Sequence, residues 1–414
     1  GSLHRTALGV AEHHQQRDAQ RPGAERQRAE HRVVDDLTGR PHHEQVSQPQ
    51  VEHQLRRDAG VRAGEDHRGR GLPRHGGGAP AIEVVEQKVH EPAVLFDRQA
   101  CLEFARGNVG SVLGALHAPA DEFPTRVRLP DEPLMLVDRI LTLEGEPLSL
   151  GKGRIVTAHD VLPDAWYLDG GRIPTAIVVE SGQADLFLSG FLGVDLHTRG
   201  LSVYRLLDAQ VIFHDDLPTA GKTIIYDIHI DEFFRQDSTL LFRFHFEGTV
   251  DGKPLISMED GCAGFFSREE LASGRGIVSV PQRPRTLPVF PEGWSPPAGT
   301  ETRVLDRNQV EALRRGDLVG AFGSRFKNLP LTSPLRLPAG KLRLLDRVTL
   351  LEPIGGEWGL GKVVADLEIH PDDWFLRCHF TDDPVMPGTL MYECCLHTLR
   401  TLLIAWGWTG EEAA

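Results

Sequence analysis

The densest run of reactive side chains is DDWFLRCHFTDDPVMPGTLMYECC, residues 372–395. His379 stands there in a short segment punctuated by Pro384, Pro387 and Gly388, directly ahead of an apolar run with helical character. Proline costs little where a helix opens, and the first backbone N–H groups of a helix have no carbonyl one turn below them. Such free N–H groups can polarise a carbonyl or hold an oxyanion. Glu393 falls about one and a half turns into the same helix, at a depth where a carboxylate is seldom left without a partner. An imidazole base, an N–H donor at Gly388 set up by Pro387, and a buried carboxylate suit abstraction of a proton beside a thioester carbonyl. The plainer alternative is a histidine packed at a loop corner near a satisfied carboxylate.

The elements that must hold this segment occur twice. LPDEPLMLVDRILTLEG (129–145) has a counterpart in LPAGKLRLLDRVTLLEP (337–353), with Asp138-Arg139 and Asp346-Arg347 offset by 208. LGK recurs at 150–152 and 360–362, and Pro163-Asp164-Ala165-Trp166 recurs as Pro371-Asp372-Asp373-Trp374, again offset by 208. Matches kept in one order indicate an internal duplication. In each copy the pattern predicts a strand carrying Leu-Asp-Arg, a second strand after LGK, a loop after the Trp, and an apolar helix. Those helices span 175–193 and 389–407; both are apolar nearly all round, so other structure must wrap them.

Copy one continues through four segments rich in β-branched and aromatic residues, 201–217, 222–236, 238–253 and 254–267, which read as strands. One buried helix wrapped by a long antiparallel sheet is an α+β layout. Copy two stops at Ala414 before any equivalent strands, so the expectation is a fragment truncated at both ends, or a chain that needs a partner. Residues 93–116 read as one or two lead-in helices. The expected organisation is an arm over 1–92, a first copy over 93–270, a Pro-rich linker with an external helix over 271–325, and half of a second copy over 326–414.

Composition separates the arm from the rest. Residues 1–90 contain no Phe, Trp, Tyr, Cys or Met but 10 of the 19 His, and carry a net charge of +1. The chain total is −14, so residues 91–414 carry −15. A stretch so poor in apolar bulk cannot offset its conformational entropy. It reads as a disordered or non-native low-complexity arm. The acidity excludes a nucleic-acid footprint, and the chain has no apolar run of the length that spans a bilayer. Five Cys without CxxC spacing suit a reducing, cytoplasmic setting better than a disulfide framework.

CHFTDDPVMPG, Cys378 to Gly388, resembles the active-site motif of the 3-hydroxydecanoyl-ACP dehydratases, hotdog-fold enzymes of fatty-acid synthesis. The tandem arrangement, with RVRLPDEPLMLVDRI before the first copy and VVESGQADLFLSGFLG as its helix, is similar to the dehydratase region of polyunsaturated fatty acid synthases. The resemblance covers about residues 93–414. It implies a tandem hotdog that dehydrates 3-hydroxyacyl-ACP thioesters to enoyl-ACP, with isomerisation of the double bond as a variant. His379 would abstract the α-proton, the acid fourteen positions later, Glu393, would handle the hydroxyl, and Gly388 N–H would bind the carbonyl. It further implies no metal or diffusible cofactor, since the substrate rides on phosphopantetheine. The partners implied are an acyl carrier protein and other synthase modules, and a homodimer is compatible. Arg172, Arg199, Arg205 and Arg377 are the candidate basic contacts for an acidic carrier.

Copy one departs from the motif. After Trp166 it reads YLDGGRIPTAIVVESGQ, five residues shorter, with no His at the catalytic place, yet Glu180 and Pro174 align with Glu393 and Pro387 at an offset of 213. In the family the His of one hotdog meets the acid of its neighbour. The expectation is therefore one complete site, His379 of copy two with Glu180 of copy one, and a dead reciprocal site holding Glu393. Ser181 and Gln183 could support the site by hydrogen bonding.

Weaker signals resolve differently. Cys378 and His379 are sequence neighbours that point apart in extended chain, which disfavours a Cys–His nucleophile. Gly221-Lys222-Thr223 lacks the earlier glycine of a phosphate loop and reads as a turn opening a strand. His214, His229 and His245 read as packed or surface residues. Two other function classes stay open at this point: a hotdog thioesterase, which lacks the Pro-Val-Met-Pro-Gly element, and a non-catalytic scaffold.

Overall fold

The structure, a computed structural model, describes residues 5–9, 93–274, 293–296, 298–327, 336–356 and 359–408. The expected arm, apart from a strand β1 (Arg5–Gly9), and the proline-rich centre of the linker lie outside the described residues. Copy one opens with helices α1 (Arg98–Arg106) and α2 (Val109–Leu113), α1 being capped by Asp97, which accepts from the N–H of Ala100 at 2.9 Å. Strands β2 (Arg139–Gly145) and β3 (Gly153–Asp160) follow, then helices α3 (Thr175–Ser181), α4 (Asp185–Phe191) and α5 (Val194–Thr198). Strands β4 (Ser202–Phe213), β5 (Thr223–Gln236), β6 (Thr239–Val250) and β7 (Lys253–Ser267) and the short helix α6 (Arg268–Ser273) complete it.

These strands form one antiparallel sheet in the order β1-β4-β7-β6-β5-β3-β2. Its inner face is set by alternation. Along β5, Ile224, Tyr226, Ile228 and Ile230 are buried while Asp227 and His229 between them face outward, the period of two that one apolar face requires. With Phe242, Phe244, Phe246, Ile256 and Met258 they enclose Ile177, Val178, Phe187 and Leu188 of α3 and α4.

The helix expected over 175–193 is broken into two, α3 and α4, with α5 following. Gly182 sits hard against the sheet: a Cβ there would lie 2.8 Å from Phe246 Cζ and 3.0 Å from Tyr226 Cδ1. Ser181 Oγ meanwhile donates to Val178 O at 3.1 Å and meets the Tyr226 hydroxyl at 2.8 Å. This local bonding competes with continuation of the helix. The site-support role expected for Ser181 is thus corrected, because its hydroxyl is committed to the copy-one core.

Copy two comprises α7 (Arg307–Arg314), α8 (Leu318–Phe322), β8 (Arg347–Glu352), β9 (Lys362–Asp366), α9 (Trp374–Cys378) and α10 (Gly388–Ala405). β8 and β9 pair as a two-stranded antiparallel sheet. Without an internal glycine, α10 runs unbroken for 18 residues. The helix expected on the outside, α7, instead buries Val310 and Leu313 in a second core with Leu318, Phe322, Val348, Leu402 and Ile404. It is the counterpart of α1. Asp306 caps it as Asp97 caps α1, and Leu305 bridges Val348 as Phe96 bridges Ile140. The duplication therefore begins near Asp97 and Asp306, earlier than the sequence match, because only cap and apolar spacing survived there.

Duplicated residues make duplicated contacts. Trp166 donates its indole N–H to Pro133 O at 2.9 Å, and Trp374 donates to Lys341 O at 3.1 Å. Asp138 Oδ2 accepts from Asp160 N–H at 2.7 Å, and Asp346 Oδ2 accepts from Glu368 N–H at 2.8 Å. The two tryptophans themselves meet edge to face, ring centroids 5.0 Å apart.

Candidate active site

His379 caps the C-terminus of α9, its N–H bonded to Phe375 O at 2.9 Å. Beyond it the chain turns back tightly: Phe380 N–H donates to Asp383 O at 2.9 Å, and Val385 N–H donates to His379 O at 2.8 Å. The ring is fixed by the same residue, since Nδ1 lies 3.0 Å from Val385 O. A carbonyl only accepts, so Nδ1 carries the proton and Nε2 of the neutral ring holds the lone pair. Burial holds the imidazole below its ordinary pKa, opposed by the nearby Glu180 carboxylate. The geometry leaves Nε2 of the ring as an acceptor that faces inward.

What Nε2 faces is Glu180 of copy one, whose Oε1 lies 3.7 Å away. Glu180 lies in the last turn of α3 and is buried. Its other oxygen accepts the Thr389 hydroxyl at 2.6 Å, a donor from the first turn of α10. The reciprocal place is arranged alike: Glu393 Oε2 accepts the N–H of Ala176 at 3.2 Å. Positions 176 and 389 differ by 213, as do 180 and 393, so each acid is held by the residue four before the other. Among the described residues no His of copy one pairs with Glu393. Its neighbour is His397 of its own helix, with Nε2 3.1 Å from Glu393 Oε1 but not aligned as a hydrogen bond.

Pro387 stands just before α10 in extended conformation and Gly388 is its first residue. The Gly388 N–H therefore lacks a helical acceptor below it. Gln183 lies in the break between α3 and α4, its N–H bonded to Glu180 O at 3.1 Å. Sequence reasoning missed Thr389 and His397. Alignment of the two helices could have flagged both, because copy one has Ala176 and Ala184 at those places.

Of the remaining signals, the Cys378 thiol is buried and pushed up to about 12 by burial, which rules it out as a thiolate nucleophile. Arg205 is not a free docking cation, since it pairs with Asp383 at 2.6 Å. Arg172 donates to Leu217 O at 2.6 Å, while Arg199 and Arg377 are exposed. Gly221, with φ of 89°, turns the chain into β5 at Thr223. His229 and His245 stack on the outer face of the sheet, ring centroids 4.8 Å apart, whereas His214 lies just past the end of β4. Among the described residues no helix is long and apolar enough to cross a membrane.

A long antiparallel sheet wrapped on a helix, followed in tandem by a second, partial copy with a two-stranded sheet and its helix, and an imidazole from one copy facing a carboxylate from the other, define a tandem hotdog. The FabA-like domain model matches residues 129–259 and 337–414, just over half of the sequence and one segment in each copy, and the chain belongs to that family. It is 34% identical over 325 residues to a polyunsaturated fatty acid synthase subunit from a Thraustochytrium species, a match that covers 76% of this chain. The chain spans 21% of that relative's length. Among solved structures, it is similar to the dehydratase heterocomplex ApeI:P from Xenorhabdus doucetiae, at 19% identity, TM-score 0.26, and coverage of 37% of this chain and 95% of that one. It is also similar to the PaaI protein of the E. coli phenylacetic acid degradation operon, at 12% identity, TM-score 0.22, and coverage of 29% and 79%.

Proposed function

We propose that the chain dehydrates 3-hydroxyacyl thioesters to enoyl thioesters, presented on an acyl carrier protein, within polyunsaturated fatty-acid synthesis. His379 Nε2 takes the α-proton while the Gly388 N–H bonds the thioester oxygen as negative charge builds on it. For this step Glu180 must hold a proton, which it gives to the departing β-hydroxyl, so that the hydroxyl leaves as water. Proton exchange between His379 and Glu180 restores the starting state. The step is redox-neutral and balances without a metal or cofactor.

The observation that carries this reading is the 3.7 Å approach of His379 Nε2 to Glu180 Oε1, with Nδ1 committed to Val385 O. A spacing just beyond direct bonding suits two groups that act on adjacent carbons of a substrate. Membership of the FabA-like family supports it independently. The carrier, neighbouring synthase modules and a cytoplasmic setting belong to the same reading.

The test is to incubate the intact protein with a 3-hydroxyacyl thioester while following enoyl absorbance and free thiol. Dehydration raises the first alone. Release of thiol without enoyl product would make the protein a hydrolase, and silence in both assays a scaffold; either overturns the proposal.

A further inference from the structure

The segment that carries His379 is gripped by copy one at three points, two of them partly buried ion pairs. Arg128 Nε reaches Asp382 Oδ2 at 2.7 Å while its Nη1 donates to Ala105 O at 3.0 Å, joining the end of α1 to the loop. Arg205 on β4 reaches Asp383 Oδ2 at 2.6 Å and Oδ1 at 3.4 Å with its two terminal nitrogens. The side chains of Arg128 and Arg205 are only 9% and 14% exposed. The third grip is the N–H of Asp131, which donates to Cys378 O at 2.9 Å.

The turn between these grips behaves as one piece. Phe380 and Asp383 bond each other's backbone in both directions, at 2.9 and 3.3 Å, and His379 and Val385 close the next rung. Moving Asp382 and Asp383 must therefore move the imidazole. Glu180, the group His379 has to face, is anchored in copy one, as are Arg128 and Arg205. Acid and clamp thus share one frame, while the base rides on the other copy.

We infer that Arg128 and Arg205 are positioning residues, which set the location of His379 relative to Glu180 through Asp382 and Asp383. This rests on the reading of His379 and Glu180 given above. Arginine suits the task because its fork gives directional, charge-assisted bonds that an ammonium does not. Misplacing a reacting group by about 1 Å can cost roughly 100-fold in rate.

The test compares Arg205→Met, Arg205→Lys and Asp383→Asn in the full chain, each checked for a cooperative melt. The expected result is a kcat about 10- to 100-fold lower for Arg205→Met and Asp383→Asn, with KM held within about 2-fold and partial recovery in Arg205→Lys. The ring 15N signals of His379 read the clamp without turnover and are expected to shift in the same two variants. A folded Arg205→Met with wild-type kcat and unmoved His379 signals would overturn the inference. Should that variant not fold, Asp383→Asn decides by the same criteria. A wild-type chain that forms no enoyl product would fail the earlier reading instead, and the His379 signals alone would then decide this one.

Discussion

Thr389 gives its hydroxyl to Glu180 across the boundary between the copies at 2.6 Å, and Glu393 takes the N–H of Ala176 across the same boundary at 3.2 Å. The two contacts join equivalent positions with the copies exchanged, as across an isologous interface, with a hydroxyl as donor in one and a backbone N–H in the other. What differs most is the third group. Glu180 has Nε2 of His379 in front of it, whereas Glu393 has His397 of its own helix. Symmetry of the scaffold and asymmetry of the chemistry therefore meet at two glutamates.

The first prediction separates them. Glu180→Gln removes the acid and should lower kcat for dehydration by about 100-fold or more, the range of a positioned acid or base. Glu393→Gln should leave kcat within a few-fold. Steady-state assays on a model 3-hydroxyacyl thioester decide; loss only in the Glu393 variant would reject the cross-copy site.

Thr389→Val keeps the shape and removes the donor to Glu180. A buried acceptor left without its partner costs about 1–3 kcal/mol, so denaturant unfolding should show a loss of that size. Thr389→Ser, which keeps the hydroxyl, should recover most of it.

The third prediction concerns pH. His379 must be neutral to act as base, and burial sets its folded pKa below the ordinary value. The acid limb of kcat/KM should therefore lie below about 6.5, where an exposed imidazole titrates. The same shift makes the unfolded chain the stronger proton binder, so stability falls as pH drops through that region. An acid limb above about pH 7 would contradict the assignment.

Asp185 behaves oppositely. It is fully buried beneath the Tyr204 hydroxyl, which donates to it at 3.1 Å, and burial raises its pKa to about 7. The folded state then binds more protons than the unfolded one between about 4 and 7, so stability falls as pH rises through that window. Asp185→Asn should raise the melting temperature at about pH 8, by at most about 4 kcal/mol of stability, with little effect near about pH 4. Equal effects at both pH values would refute the assignment.

Gly182→Ala tests the break between α3 and α4. A methyl group 2.8 Å from Phe246 Cζ overpacks the core and should cost about 1–3 kcal/mol in thermal or urea unfolding.

Much of this was legible in the sequence because it rests on local pattern. Strand alternation along Ile224, Tyr226, Ile228 and Ile230 needs only a period of two, and the offset of 213 aligns Glu180 with Glu393; that Glu180 should face His379 follows from the resemblance to the dehydratases. What stayed hidden depends on contacts between distant segments. Nothing local says that Gly182 will meet Phe246, that Ser181 will turn to Tyr226, or that Arg205 will be consumed by Asp383. The role of α7 was missed because a cap and two buried apolar residues are too weak a trace of duplication.

The join between the copies is also a statement about concentration. Trp166 and Trp374 touch, and Glu180 meets His379, between parts of a single polypeptide. Tethering replaces a dimerisation constant with a fixed effective molarity. Dilution that would separate two loose protomers leaves this carboxylate and this imidazole together, and each chain keeps the pairing whatever its abundance.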